Sequence, residues 1–324
     1  MKLDLHDAEG LNARLEQVLV QDKERFDFPE YFARWLFGER LDARGARKEM
    51  GFNAYEGPAH IGKFFGWHTN ANFADYLPED QAGALAATSA EIDTKLFEAY
   101  GLPTNLPLIA KLGRYNAQDH MLMRSYPVPE RNRVRTLLDF GAGHARLANL
   151  GFNDPDETRR ITTYIAMEAI PSTYFTQLAY LKGLGLRIWE YLDHCDQDLT
   201  QADLQAAIES HDVIHIPTWR HDLLPDGCVD MVSCVQVLKE LPGPLVNALM
   251  PIFSRVTQKT GAIYIRDHQQ FHNPNHMPIP QLLQANGFTL EFAPQIVDRV
   301  ELHGDPRIWR KVDPAHFVSE QHNG

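Results

Sequence analysis

What this chain has little of narrows its chemistry first. It holds three cysteines, Cys195, Cys228 and Cys234. Odd in number and without C-x-x-C spacing, they suggest neither a disulfide framework nor a zinc knuckle, and read as reduced packing residues. No apolar run approaches the roughly 18 residues that a bilayer crossing needs. The start, Met1-Lys-Leu-Asp-Leu-His-Asp, lacks both the basic and the apolar part of an export signal. A cytoplasmic protein with no membrane partner is the expectation. Long blocks of lysine and arginine are also missing, and the formal net charge is −12. Nucleic acid, whose binding depends on neutralising phosphates, is therefore not an expected partner, and a small-molecule substrate is favoured.

What is present is ordinary in bulk and specific in one place. With 324 residues, 44% of them hydrophobic and 23% charged, the chain can bury a large core as one large domain or two smaller ones. The specific stretch runs from Val134 to Asn149. Val134 to Phe140 is a short run of strand formers. Gly141 and Gly143 break it, and Arg146, Leu147 and Ala148 resume in helical register. Strand, tight turn and helix follow one another, with glycine where a Cβ would obstruct a sharp bend or a ligand lying against the backbone. The helix start behind the turn is expected to offer unpaired N–H groups and a partial positive charge to a carboxylate or phosphate.

The residues around the glycines discriminate among ligands. A dinucleotide turn has the form G-x-G-x-x-G/A, and counted from Gly141 its last small position holds Arg146. The turn reads instead Asp139-x-Gly141-x-Gly143-x-Ala145. Further on, Thr162 to Glu168 is a second apolar run ending in an acid. In a doubly wound sheet such an acid sits over a ribose, whose hydroxyl hydrogens its carboxylate can accept. Pro171 opens a helix that extends through Leu184 to the glycines at 183 and 185. Asp212 to Trp219 reads as a buried strand leading into a polar turn, Asp226 to Pro242 as a fourth strand and Gly261 to Asp267 as a fifth. Leu282 to Phe288 reads as a helix end preceding a sixth.

The glycine turn resembles the first motif of class I S-adenosylmethionine-dependent methyltransferases, in which alanine sometimes replaces the third glycine, as at Ala145. The segment Asp230, Val232, Val237, Leu238 and Glu240 is similar to the fourth motif of that family. Together the matching segments cover residues from about 134 to 312. Ile216-Pro-Thr-Trp219, Asp230 and Gln236 followed by Glu240 look most similar to sugar O-methyltransferases within it. The resemblance implies an α/β fold with a doubly wound, mostly parallel, seven-stranded Rossmann-like sheet and a mainly helical N-terminal region. The domain division expected is 1–120 for a substrate-side or lid region and 121–324 for the catalytic core. It implies S-adenosyl-L-methionine as cofactor, with Asp139, Gly141, Ala142, Gly143, Glu168, Ala169, Thr218, Trp219 and Gln236 as its binding residues. Trp219 would lie against the adenine. The implied reaction is O-methylation of a small molecule, a sugar or glycosylated metabolite, with His268, Glu240 and Asp267 as candidates for removing the hydroxyl proton. The N/D-P-P-Y/F tetrad of nucleic-acid methyltransferases is absent, its place being taken by Ser233-Cys-Val-Gln236. His268, His272 and His276 raise a metal reading, but Pro274 argues for a loop, and no metal site is assigned. A nicotinamide-dependent oxidoreductase and a noncatalytic methyltransferase-like partner subunit share the expected sheet. A homodimer remains open.

Nearer the N-terminus, Asn12 to Leu41 is expected to be helical with a break at Pro29, and Glu79 to Tyr100 likewise. Met50 to Pro78, rich in Gly, Asn and aromatics such as Tyr55, Phe64 and Phe65, is expected to be an irregular substrate-side surface. The proline-rich Leu102 to Pro129 reads in its later part as a joint to the core.

Overall fold

The structure is a computed structural model, and it describes residues 3–26, 54–67, 79–238, 241–267, 279–293 and 305–312. The strands are β1 (Thr136–Phe140), β2 (Thr163–Glu168), β3 (Ile188–Glu190), β4 (Val213–Pro217), β5 (Val229–Val235), β6 (Thr257–Asp267), β7 (Phe288–Phe292) and β8 (Asp305–Lys311). They form one sheet in the order β3-β4-β2-β1-β5-β6-β8-β7. Every neighbouring pair from β3 through β6 is parallel, and β8 runs antiparallel to both β6 and β7. A parallel sheet needs cover on both faces, which explains why all six residues of β2 and all five of β4 are buried. The sheet therefore has eight strands where seven were expected. β3, only three residues long, is too short for its hydrophobic period to register in the sequence.

The helices are α1 (Ala8–Arg25), α2 (His60–Trp67), α3 (Glu79–Ala99), α4 (Leu106–Ser125), α5 (Leu147–Asn153), α6 (Pro171–Gly183), α7 (Gln201–Ser210), α8 (Gly243–Val256) and α9 (Ile279–Ala285). One of them corrects the sequence reading and another adds to it. α2 occupies part of the stretch expected to be irregular. α4 occupies most of the proline-rich stretch, because Pro107 falls in the first turn, where the N–H it lacks would have no partner, and Asn105 caps that turn by accepting from the Leu108 N–H at 3.2 Å. The second helix expected around Pro29 to Leu41 lies outside the described residues. Buried side chains of α1, α2, α3 and α4 join those of the sheet in one continuous apolar cluster. None of the helices is long and apolar enough to cross a membrane, among the described residues.

Polar anchors fix helices to this core. On α1, buried Asp22 accepts from the Trp219 indole N–H at 2.9 Å and from the Tyr191 hydroxyl at 2.9 Å. On α3, Asp93 is enclosed among three helices. Its Oδ1 accepts from the Tyr180 hydroxyl on α6 and from the Asn149 amide on α5 at 2.8 Å, while its Oδ2 has no hydrogen-bond partner. Burial pushes its carboxyl up to about 7, against the opposing pull of those two donors.

This gives a pH dependence of known sign. The folded state binds the Asp93 proton more tightly than the unfolded chain, whose value is 3.8. The native state thus loses about 1.4 kcal/mol of stability for each pH unit climbed between those two values, and no more above the higher one. We expect Asp93→Asn, which keeps an oxygen for both donors and carries no charge, to match the parent near pH 4 and to exceed its stability at pH 8. Urea unfolding midpoints at the two pH values measure this.

Candidate functional site

In an open parallel sheet a ligand crevice forms beyond the C-terminal ends of the strands, at the point where strand order reverses. Here the chain moves outward from β1 through β2 to the edge strand β3, fills the gap between them with β4, then crosses back to lay β5 on the other side of β1. The reversal therefore lies between the turn after β1, which carries Gly141, and the exit of β5, which carries Gln236.

These two loops touch. A Cβ on Gly141 would meet Val237 Cγ2 at 2.6 Å, and Gly141 also needs φ of +68°. Its N–H donates to the Met167 carbonyl at 2.9 Å, which ties the turn to β2. Gly143 has φ of +58° and nothing within 4 Å of its missing Cβ, so there it is backbone conformation, not space, that asks for glycine. Ala145 follows with φ of +62° and is fully buried. Residues 142 and 144 do not share the positive φ. Alternation of this kind turns successive amides toward one side, a form suited to an anion. The helix start does not supply that function as expected. α5 begins only at Leu147, has seven residues, and carries Arg146 at its N-cap without a side-chain capping bond.

Other expected residues are placed as follows. Asp139 lies within the sheet beneath the turn, its carboxylate accepting from the Tyr164 hydroxyl. Burial pushes it up to about 6, opposed by that hydrogen bond and by the Arg146 charge. Glu168 ends β2, one strand over from the turn. Its Oε1 accepts from the N–H groups of Ala169 at 2.7 Å and Ile170 at 3.2 Å, so it also shapes the entry to α6. Thr218 directly follows β4, and its buried hydroxyl has no hydrogen-bond partner. Trp219 is 2% exposed with its N–H on Asp22. That bond ties the residue after Thr218 to α1. Gln236 leaves β5 with φ of +62°, and its N–H donates to the Arg266 carbonyl at 2.9 Å. Asp267, the last residue of β6, is fully buried. Ala142 and Ala169 sit beside Gly141 and Glu168. Glu240 and His268 lie outside the described residues, as do His272 and His276, and among the described residues no group of His, Cys, Asp or Glu has the arrangement to hold a metal ion.

Three features escaped sequence reasoning. Arg146, noted for opening the helical register and for spoiling a dinucleotide fingerprint, is buried and ion-paired with Asp119 of α4. Arg266 of β6 pairs with the same carboxylate at 2.9 Å. Tyr55 and His60, with ring centroids 6.1 Å apart, bury a hydroxyl and an Nδ1 that have no hydrogen-bond partner. Burial holds the His60 imidazole below its ordinary value, hence neutral around pH 7. They stand near the turn, since Phe64, one helical turn beyond His60, packs on His144 with centroids 6.1 Å apart. Tyr55 packs on Phe175 of α6 at 5.6 Å. Only their position in the aromatic-rich stretch hinted at this.

No family model and no curated protein matches the chain. Among solved structures, a SAM-dependent methyltransferase from Aquifex aeolicus is 15% identical over 60% of this chain and 89% of its own, with a TM-score of 0.39. The 1,6-didemethyltoxoflavin-N1-methyltransferase of Burkholderia thailandensis, solved with S-adenosylhomocysteine bound, is 14% identical over 76% of this chain and 94% of its own, with a TM-score of 0.36. CrArsM, an arsenic (III) S-adenosylmethionine methyltransferase from Chlamydomonas reinhardtii, is 13% identical over 55% of this chain and 64% of its own, at 0.35. Likenesses this loose carry no argument about chemistry, which rests on the residues of this chain.

The turn's geometry orders the effects of substitution. Gly141→Ala meets both a contact and an unfavourable φ and should cost about 2–4 kcal/mol. Gly143→Ala, strained in φ alone, should cost about 1–2 kcal/mol. Ala145→Gly, which relieves φ while giving up a small buried methyl and adding unfolded-state entropy, should fall within about 1 kcal/mol of the parent. Chemical denaturation of the three variants gives the order directly.

Proposed function

We propose that the chain is an S-adenosylmethionine-dependent methyltransferase acting on a hydroxyl of a small molecule. One observation carries this reading: the glycine turn of the sequence motif falls at the reversal of strand order, with the carboxylate of Glu168 at the end of the adjacent strand. The residues present suit the cofactor. An amino-acid tail would rest on the bare backbone at Gly141 and Gly143, the ribose hydroxyls would donate to Glu168, and the unsatisfied Thr218 hydroxyl at the end of β4 is a polar partner within the same crevice. When bound, S-adenosylmethionine supplies an electrophilic methyl on a sulfonium. The chain's own task is then mostly to hold the acceptor in line and to exclude water. A hydroxyl acceptor must also lose its proton, and Asp267 at the end of β6, His268 directly after it in sequence, and Glu240 in the segment after β5 are the groups we assign to that step. The narrower acceptor class, a sugar or glycosylated metabolite, is supported by sequence resemblance alone.

The nicotinamide alternative is disfavoured by Arg146. Its guanidinium is committed to Asn116 at 2.9 Å and to Asp119, and lies 4.1 Å from the Tyr115 ring centroid, so it does not vacate the small-residue position. Titration calorimetry with S-adenosylhomocysteine and with NADH separates the two readings. We expect binding of the first and none of the second. Glu168→Gln should weaken S-adenosylhomocysteine roughly 10- to 100-fold, the value of hydrogen bonds to a charged group. NADH binding, or a parent that ignores S-adenosylhomocysteine, would reject the assignment.

A further inference from the structure

We propose that Asp119, on α4 and outside the α/β core, is a positioning residue for the ligand cradle, holding the glycine turn and the β5 exit in register through two buried arginines. This rests on the cofactor reading above.

Asp119 is fully buried and receives three partners. Arg146 pairs with its Oδ2, Arg266 lies 2.9 Å from its Oδ1, and the Tyr264 hydroxyl donates to Oδ1. The ring of Tyr115, one turn back along α4, has the Arg146 Cζ at 4.1 Å from its centroid and the Arg266 Cζ at 4.6 Å. Asn116 adds a carbonyl to Arg146. α4 thus contributes an acid, an amide and an aromatic face to the same two cations.

Each arginine belongs to a different wall of the crevice. Arg146 immediately follows Ala145, whose φ of +62° is unfavourable for a residue with a Cβ. Arg266 is the next-to-last residue of β6, and its carbonyl accepts the N–H of Gln236, which has the same φ of +62° and precedes the Val237 that abuts Gly141. Non-glycine residues keep such conformations when surrounding contacts over-determine them. One carboxylate joined to both cations provides such contacts, and losing it leaves two guanidinium groups buried without it. Sequence separation shows the span of the arrangement, with Asp119 and Tyr264 lying 145 positions apart.

The experiment compares S-adenosylhomocysteine affinity by calorimetry at 10 °C, well below melting, in the parent, Asp119→Asn, Tyr264→Phe and Leu204→Ala. Leu204 is a buried core residue of α7, outside this network, and serves as the control for lost stability. We expect a tenfold or greater loss of affinity for Asp119→Asn, two- to fivefold for Tyr264→Phe, and parental affinity for Leu204→Ala despite a comparable fall in melting temperature. Parental affinity in Asp119→Asn, or losses that track melting temperature across all three variants, overturns the proposal. If Asp119→Asn fails to fold, Tyr264→Phe, which leaves every charge paired, decides by the same criterion. A parent that does not bind S-adenosylhomocysteine rejects the cofactor reading instead. Amide hydrogen exchange then tests the Asp119 network without ligand: it should be faster from 141 to 146 in Asp119→Asn and in Tyr264→Phe with the amides of β2 unchanged, and equal rates overturn the proposal.

Discussion

Everything at the C-terminal edge of this sheet depends on one close approach, that of the Gly141 backbone to the side chain of Val237. β1 and β5 are adjacent parallel strands, so the loops leaving them emerge side by side and compete for the same space. With any side chain at 141 one loop would have to move, and the crevice between them would change shape. Glycine removes the conflict and also permits the left-handed turn that follows. The neighbouring Glu168 gains its position from the same register, since Phe140 at the end of β1 pairs with Met167 and β2 runs one residue further, to Glu168.

Much of this was legible in the sequence because it is local. β1, β2 and α6 sit within two residues of where their apolar runs and Pro171 place them. The turn and the acid stand at the expected strand ends. Signals failed where the determinant was nonlocal or ambiguous. β3 is too brief to have a period. α4 was not assigned from the sequence, and the structure places Pro107 of that proline-rich stretch in its first turn. The antiparallel insertion of β8 between β6 and β7 follows from packing order and not from residue type. The hydrogen bonds of Asp139 with Tyr164 and of Trp219 with Asp22 join separate elements, so no local pattern announces them.

The same distinction separates the polar groups of the interior. Asp22, Asp119 and Asp154 are surrounded by donors and fix helices to the core. The His120 ring and Arg124 both approach Asp154 at 2.6 Å, and its carboxyl is held down to about 2, the hydrogen bonds outweighing its burial. Tyr55, His60 and Thr218 instead enclose polar atoms that nothing in the fold satisfies, an arrangement that costs stability and is uncommon away from functional sites.

The attachment of α1 through Asp22 bears on how the molecule is made. The hydrogen bond from Trp219 spans 197 positions. Because a ribosome releases the chain from its N-terminus, α1 emerges long before the indole and the Tyr191 hydroxyl that complete its anchor exist. The two donors that hold Asp22 are therefore added only after α1 itself has been made. Completion of this polar anchor, as distinct from the apolar packing of α1, has to follow synthesis of Trp219.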